Sequence, residues 1–485
     1  MKVGIIGAGI AGIATAIRLQ MQGKDVTIIE SNDYPGGKLT SFESNGYHFD
    51  AGPSLFTMPE NVEELFSIAK KQSTDYFQYI TLDNTCHYFY EDGTTIYGKT
   101  NINEFGEEVE KKLGTPKQQI IDYLNRSKEI YQLTSHLFLQ SSLHKIKTYF
   151  SSRIVKTLFN INKLKLNKTM NDVNEGFFEE PKLVQLFNRF ATYNGSDPYQ
   201  APAVLNIIPH LEHNMGTYFP KGGMRSITNS LYTLSKEIGV DYVFNEKAEE
   251  IITEGKKVKG IKTSKKNYSF DRVVSNMDIY PTYRHLLRKH KAPEKILQQQ
   301  RSSSALIFYW GIKKSFNSLD LHNIFFSDDY QKEFDYIFKK KNIYHDPTVY
   351  VNISSKHNPS DAPNGCENWF VMINVSHNEK QDWDQLISEA RKNILTKLSR
   401  MLHTDIASLI ATEEVLDPRT IESKTSSYKG ALYGASSNNK MAAFLRHKNF
   451  SSKIKGLYFA GGSVHPGGGI PLCLLSAKIV SENFK

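Results

Sequence analysis

Cysteine is scarce: 485 residues contain only Cys86, Cys366 and Cys473, widely spaced and odd in number. That pattern excludes a disulfide framework, fits a reducing compartment, and offers no metal-ligand spacing. No uninterrupted apolar run reaches the ~18 residues needed to span a bilayer. Repeats at a solenoid period and long biased tracts are also missing. No nucleic-acid motif accompanies the formal charge of +9, so nucleic acid ranks behind solubility and an anionic membrane surface as the reason for it. What remains, with 39% hydrophobic and 12% aromatic residues, is the composition of a folded soluble protein. At ~100–200 residues per domain the chain has room for two to four domains.

The stretch KVGIIGAGIAGIATAIRLQMQGKDVTIIE, Lys2 to Glu30, organises the rest. Val3, Ile5 and Ile6 predict a short strand, and Gly7-Ala8-Gly9-Ile10-Ala11-Gly12 a tight turn. Ile13 to Gln22 predict a helix stopped at Gly23, and Asp25 to Ile29 a second strand. In a G-x-G-x-x-G turn the first glycine permits the bend and the second lets backbone approach a pyrophosphate. The third brings helix close to strand. The helix N-terminus offers N–H groups and a positive dipole end to phosphate. Glu30, 18 residues beyond Gly12, can accept hydrogen bonds from a ribose. A signal peptide would also begin with Lys2 and an apolar run. The periodic glycines, the lack of a convincing cleavage site and the following strand exclude it.

Two loops follow within about forty residues, Pro35-Gly36-Gly37-Lys38-Leu39 and Asp50-Ala51-Gly52-Pro53-Ser54. Beside a dinucleotide fingerprint both read as further cofactor contacts. Cys86 to Tyr97 predicts a hairpin turning at Asp92-Gly93, and Gln118 to Leu137 a helix. Lys145 to Lys168 carries seven basic residues and no acid, with Ile146, Phe150, Ile154, Leu158 and Ile161 at helical spacing. Such a stretch suits either an interfacial membrane anchor or a solvated helix packed on its own domain. The run from Ala191 to Met224 is rich in aromatic and aliphatic side chains, as an apolar pocket or a plain core would be. A helix is expected from Gly223 to Ile238, then a strand within Val240 to Ile252. Lys257 to Asn276 predicts strand, glycine-containing turn and strand. Ser304 to Trp310, Val349 to Ile353 and Trp369 to Val375 predict strands, and Trp383 to His403 an amphipathic helix.

GAGIAG, Glu30, PGGKLTSF and FDAGPSLF resemble the FAD-binding start of the flavin amine-oxidase and phytoene-desaturase superfamily. Four central motifs narrow this to the carotenoid-desaturase branch: Tyr193-x-Gly195-x-x-Pro198, Ala201-Pro202-Ala203, Ile208-Pro209-His210-Leu211-Glu212 and Tyr218-Phe219-Pro220-x-Gly222-Gly223-Met224. Val274-Ser275-Asn276-Met277-Asp278, Gly430-x-x-Tyr433-Gly434 and Tyr458-Phe459-Ala460-Gly461 through His465-Pro466-Gly467-Gly468-Gly469-Ile470-Pro471 fit the same branch. The resemblance spans nearly the whole chain, densely at 2–58, 191–280 and 425–480. Leu472-Cys473 and Ser463-Val464 depart from its pattern beside the expected flavin.

The resemblance implies an α/β Rossmann-type FAD-binding domain intertwined with a mixed α+β substrate domain. The first would comprise 1–70, 220–285 and 415–485, and the second 71–219 and 286–414. It implies FAD contacts at Gly7, Gly9, Ala11, Gly12, Glu30, Ser31, Gly37, Lys38, Leu39, Gly52, Pro53, Ser54, Ala248, Gly461, Gly462, Gly469 and Ile470. The implied activity is desaturation of an apolar carotenoid by hydride transfer to flavin N5 with loss of a proton. Within the family the narrower expectation is 3,4-desaturation of a 1-hydroxycarotenoid. Phytoene or diapophytoene desaturase, carotenoid isomerase and terminal oxidase stay open. Rivals of other classes are a flavin amine oxidase and a non-catalytic escort for prenylated proteins. No catalytic base is named, because the chemistry requires chiefly positioning and exclusion of water. His465 reads as structural. The resemblance further implies a peripheral place on the inner face of a membrane, reached through Lys145–Lys168, and leaves other carotenoid-pathway enzymes open as partners.

Overall fold

In the computed structural model, which describes residues 1–142, 144, 157, 160–439 and 445–484, the opening strand lies at the centre of a sheet. Lys2–Ile6 pairs in parallel with Asp25–Ile29 on one side and with Arg272–Ser275 on the other. Asp241–Val243 and Leu457–Phe459 complete a five-stranded, wholly parallel sheet. Parallel strands are covered on both faces, which is why these are short continuous apolar runs. One face carries the helices Ile10–Met21, Arg225–Glu237 and Ile470–Glu482, whose apolar residues share a core with Val3, Ile5 and Ile28. The other carries a three-stranded antiparallel sheet, Ala248–Glu254, Lys257–Thr263 and Asn267–Ser269. A Cβ on Gly4 would fall 2.4 Å from the Phe270 ring and 2.8 Å from Ile261, so the side chains packed between these two sheets reach the backbone of the central strand.

A second, seven-stranded sheet runs in the order Ile410–Leu416, Ser304–Ile312, Glu367–Val375, Val349–Asn352, His322–Phe325, Asn84–Phe89, Thr95–Lys99. Its pairs are antiparallel except His322–Phe325 with Asn84–Phe89. Strand alternation sends Phe308, Trp310, Trp369, Val371 and Val351 toward the helix Trp383–Met401, with which they share one core. The intervening residues Ile307, Tyr309, Tyr350, Phe370 and Met372 face the opposite way and line a cavity.

The predicted helices and hairpin form nearly where expected, with the long helix at Lys117–Phe138. Two expectations shift. Val240 to Ile252 divides into separate strands in different sheets. Gly260 lies inside a strand, paired with Ile252 and Ser269, and not in a turn; its glycine answers to packing, since a Cβ there would sit 2.0 Å from the Tyr268 carbonyl oxygen. Most of the basic Lys145–Lys168 stretch lies outside the described residues. Among the described residues no helix is long and apolar enough to cross a membrane.

Candidate active site

The cradle begins where the central strand ends. Gly7 takes a φ of 95°, and Gly9 stands at the N-terminus of the helix Ile10–Met21. Gly12 faces inward: a Cβ would meet the Gly7 carbonyl oxygen at 2.2 Å and Asn276 Oδ1 at 3.0 Å. Its N–H donates to that Asn276 oxygen at 3.1 Å, while Asn276 Nδ2 donates to the Ala460 carbonyl at 3.1 Å. One side chain thus ties the N-terminal glycine turn to the C-terminal glycine loop. Gly36 N–H donates to the Ala8 carbonyl at 2.8 Å, setting Gly37 against Gly9. A Cβ on Gly52 would collide with the Lys38 carbonyl at 1.9 Å, which places the two early loops back to back.

Glu30 holds the fingerprint from below. One carboxylate oxygen accepts the Ala8 N–H at 2.7 Å; the other accepts the Asn32 N–H at 2.9 Å and the Ser31 hydroxyl at 3.1 Å. The oxygen that accepts Ala8 N–H keeps a lone pair for a ligand hydroxyl. At the far end of the cradle Gly469, φ 101°, starts the helix Ile470–Glu482, and nothing lies within 4 Å of where its Cβ would be. Two helix N-termini therefore open onto one space, an arrangement suited to an anionic, phosphate-bearing group.

All the expected cofactor residues except Gly12 line a single cavity of about 1170 Å³. Gly12 sits behind it, in the packing role its position in the motif gives. The volume exceeds the ~300–1,000 Å³ of an ordinary small-molecule site and leaves room for a second occupant. Lys38 is half-buried and donates to the Leu432 carbonyl at 3.0 Å. Burial pulls its pKa down, against the opposing pull of Asp278. Burial also pushes Asp278 up, against Arg301, and raises the Cys473 thiol to about 11, so it stays protonated. Arg446 donates to the carbonyls of Ala435 at 3.1 Å and Tyr433 at 3.2 Å, clamping the loop before the C-terminal glycines.

Beyond the glycine loops the wall turns apolar, formed by the sheet face and by Ile207, Ile208, Leu211 and Phe138. A buried charge cluster interrupts it. Arg189 donates to Glu212 and to Tyr88, in each case through one terminal nitrogen, and to Tyr193 at 3.0 Å; Tyr193 donates to Glu212. Burial works against both charges. Burial is the largest single effect on each, but Glu212, Tyr193, Tyr88 and Cys86 together hold Arg189 above its usual range, while Arg189, His213 and the Tyr193 hydroxyl together hold Glu212 below its own, so the pair stays ionised.

His465 lies outside the cavity lining. Its Nε2–H donates to the Ser141 carbonyl at 2.9 Å, and burial lowers its pKa to about 4, a structural ring as expected. Asp50, at the start of the second early loop, caps a helix by accepting the N–H groups of Met224 at 2.8 Å and Arg225 at 3.1 Å. Asn276, Asp278 and Glu212 stood in sequence motifs, without any signal that they converge here. His322 and Tyr350 lie on strands that carried no motif.

The architecture is that of the flavin amine oxidases. A redesigned putrescine oxidase aligns with a TM-score of 0.66 at 13% identity, over 100% of this chain and 98% of that one. Cyclohexylamine oxidase from Brevibacterium oxydans IH-35A aligns with a TM-score of 0.64 at 13% identity, over 99% and 98%. The family described as flavin containing amine oxidoreductase matches residues 10–483. The chain is 52% identical over 481 residues to the 1-hydroxycarotenoid 3,4-desaturase of Flavobacterium sp. (strain P99-3), covering 99% of this chain and 98% of that protein. It is 32% identical over 490 residues to the 4,4'-diapolycopene oxygenase of Methylomonas sp, covering 100% and 98%. The chain belongs to the flavin containing amine oxidoreductase family and, within it, to the carotenoid desaturases. It is a flavin-dependent oxidoreductase.

Proposed function

We propose that the flavin is FAD and that the enzyme introduces the 3,4 double bond into a 1-hydroxycarotenoid. The observation that carries this is one continuous cavity, glycine-lined at one end and walled by an apolar sheet face beyond, in a chain 52% identical to a desaturase of that specificity. Gly7, Gly9 and the helix start at Ile10 would hold the pyrophosphate, and Glu30 with Ser31 the adenosine ribose. Lys38, Gly52-Pro53-Ser54, Gly461-Gly462 and Gly469-Ile470 would border the ring system. Bound there, FAD supplies the hydride acceptor, N5. The chain's own part is to lay the polyene along the sheet face, bring one C–C bond against that ring, and keep water out. The proton can leave without a dedicated side-chain base. The cofactor domain would comprise 1–70, 220–285 and 415–485, and the substrate domain 71–219 and 286–414. The basic Lys145–Lys168 stretch would set the enzyme on the inner, anionic face of a membrane, where its substrate dissolves.

FAD-loaded protein incubated with a 1-hydroxycarotenoid in anionic liposomes should give a product lighter by two hydrogens, with longer-wavelength absorption. A product that has gained oxygen would assign the chain to the oxygenase activity of its 32% identical relative. Purification without flavin, and with no uptake of added FAD, would contradict the cofactor assignment.

A further inference from the structure

A polyene is hydrocarbon, so any polar group left without a partner in its cavity has a cost. Among the buried side-chain atoms of described residues lining this cavity, three have no hydrogen-bond partner: Arg189 Nε, Asn194 Oδ1 and His322 Nε2. His322 differs from the others in its connections. Its Nδ1 lies 2.7 Å from the Tyr350 hydroxyl, which lies 2.9 Å from the hydroxyl of Ser54 in the Gly52-Pro53-Ser54 loop. Asn352, its cross-strand partner, donates through Nδ2 to the Leu321 carbonyl at 3.0 Å and to His322 Nδ1 at 3.2 Å.

Those contacts define the ring chemically. The Leu321 carbonyl can only accept, so the Asn352 amide is oriented with its NH2 toward His322, and Nδ1 must accept. Burial holds the imidazole down to about 4, which keeps it neutral at physiological pH. A neutral ring accepting at Nδ1 carries its proton on Nε2. The result is an N–H donor on a residue only 3% exposed, with no acceptor among the described residues. An alkene or methyl group offers it nothing. An alcohol oxygen does.

We propose that His322, oriented by Asn352 and by the Tyr350–Ser54 chain, is the subsite that binds the 1-hydroxyl of the substrate and selects the hydroxylated end of the polyene. This rests on the substrate reading above. One methylene separates the carbinol carbon from the first reacting carbon in 3,4-desaturation, so the hydroxyl must bind beside the reacting bond and not at the far end of the cavity. The Ser54–Tyr350–His322 chain starts on the loop assigned to the flavin border, where that bond has to lie. Arg189 is engaged through its terminal nitrogens with Glu212, Tyr88 and Tyr193, and no hydrogen bond among the described residues links it or Asn194 to Ser54.

The test compares flavin-loaded wild type with His322→Phe. The probes are a 1-hydroxylated acyclic carotenoid and the same chain with hydrogen in place of the hydroxyl, followed by equilibrium binding and by kcat/KM. Wild type should favour the hydroxylated chain by about 100-fold or more, since a site built for a hydroxyl rejects the analogue lacking it. His322→Phe should reduce that ratio by about 10- to 100-fold, mainly through tighter relative binding of the plain chain, with flavin loading still stoichiometric. His322→Gln, which keeps a donor, should recover part of the preference. An unchanged ratio in His322→Phe, or a wild type that accepts both chains equally, overturns the proposal and leaves the desaturase reading standing. If His322→Phe fails to fold, His322→Met reads the same ratio by the same criterion. Failure of wild type to desaturate the hydroxylated chain refutes the substrate reading, and with it this subsite.

Discussion

Asn276 spans two loops that the chain order separates by almost its whole length. It accepts from Gly12 N–H at 3.1 Å and donates to the Ala460 carbonyl at 3.1 Å, at a point where no larger residue than glycine fits opposite it. Asn276→Ala would leave a buried N–H and a buried carbonyl unpaired, a loss of about 1–3 kcal/mol. The expected result is a lower melting temperature together with flavin that dissociates on gel filtration. Gly12→Ala acts on the same contact by overcrowding, since its Cβ would lie 2.2 Å from the Gly7 carbonyl oxygen. Shifting the helix off the strand should cost about 1–3 kcal/mol and lower the flavin-to-protein absorbance ratio. A variant that retains full flavin and stability would remove Gly12 from the packing role given to it.

At the scale of elements, each sheet is defined by what its two faces meet. The parallel sheet lets the three-stranded sheet approach only because residue 4 is glycine. Gly4→Val would drive methyl groups into Phe270 and Ile261, whose atoms lie 2.4 to 2.8 Å from a Cβ there. It should lower the denaturation midpoint by the equivalent of about 1–3 kcal/mol and loosen the C-terminal side of the sheet, measurable as faster amide exchange in Arg272–Ser275. The seven-stranded sheet separates two tasks by strand alternation. Trp310, fully buried toward the helix Trp383–Met401, donates from Nε1 to Glu413 at 2.7 Å. Trp310→Ala should cost about 3–5 kcal/mol of stability by urea unfolding without exchanging any cavity-lining side chain. Tyr309, one residue earlier, faces the cavity.

For the whole molecule, the clearest consequence of burial is acid sensitivity. His210, His322, His377, His447 and His465 are each held at about 4 by burial. A histidine whose folded pKa is depressed takes up protons more readily when unfolded. Its stabilising contribution is complete above about 6.5 and is lost as the pH falls toward 4. For a fully buried ring such as His322 the loss is at most about 3 kcal/mol. Asp50 and Glu333, raised by burial to about 6 and about 7, run the opposite way and gain as the pH falls. Asp197 and Asp278 are raised as well, and His87 and His213 lowered; the depressed histidines outnumber the raised carboxyls, so the melting temperature should fall between pH ~7.5 and ~5. Equal or greater stability at the lower pH would contradict this balance.

Lys2 to Glu30 sufficed by itself to specify strand, glycine turn, helix and strand, because each step depends on neighbours in the chain: glycine for positive φ, and apolar runs for buried parallel strands. The resemblance carried by separated motifs pointed to a flavin carotenoid enzyme, and the family match agrees. The tertiary structure decided what those local signals could not reach. Hydrogen bonds between residues hundreds of positions apart bring Gly12, Asn276 and Ala460 together, and strand register decides which face of the sheet lines the cavity. His322, Tyr350 and Ser54 meet only through that register and one loop contact. No spacing in the sequence encodes such a meeting, since the chain between them leaves the site and returns.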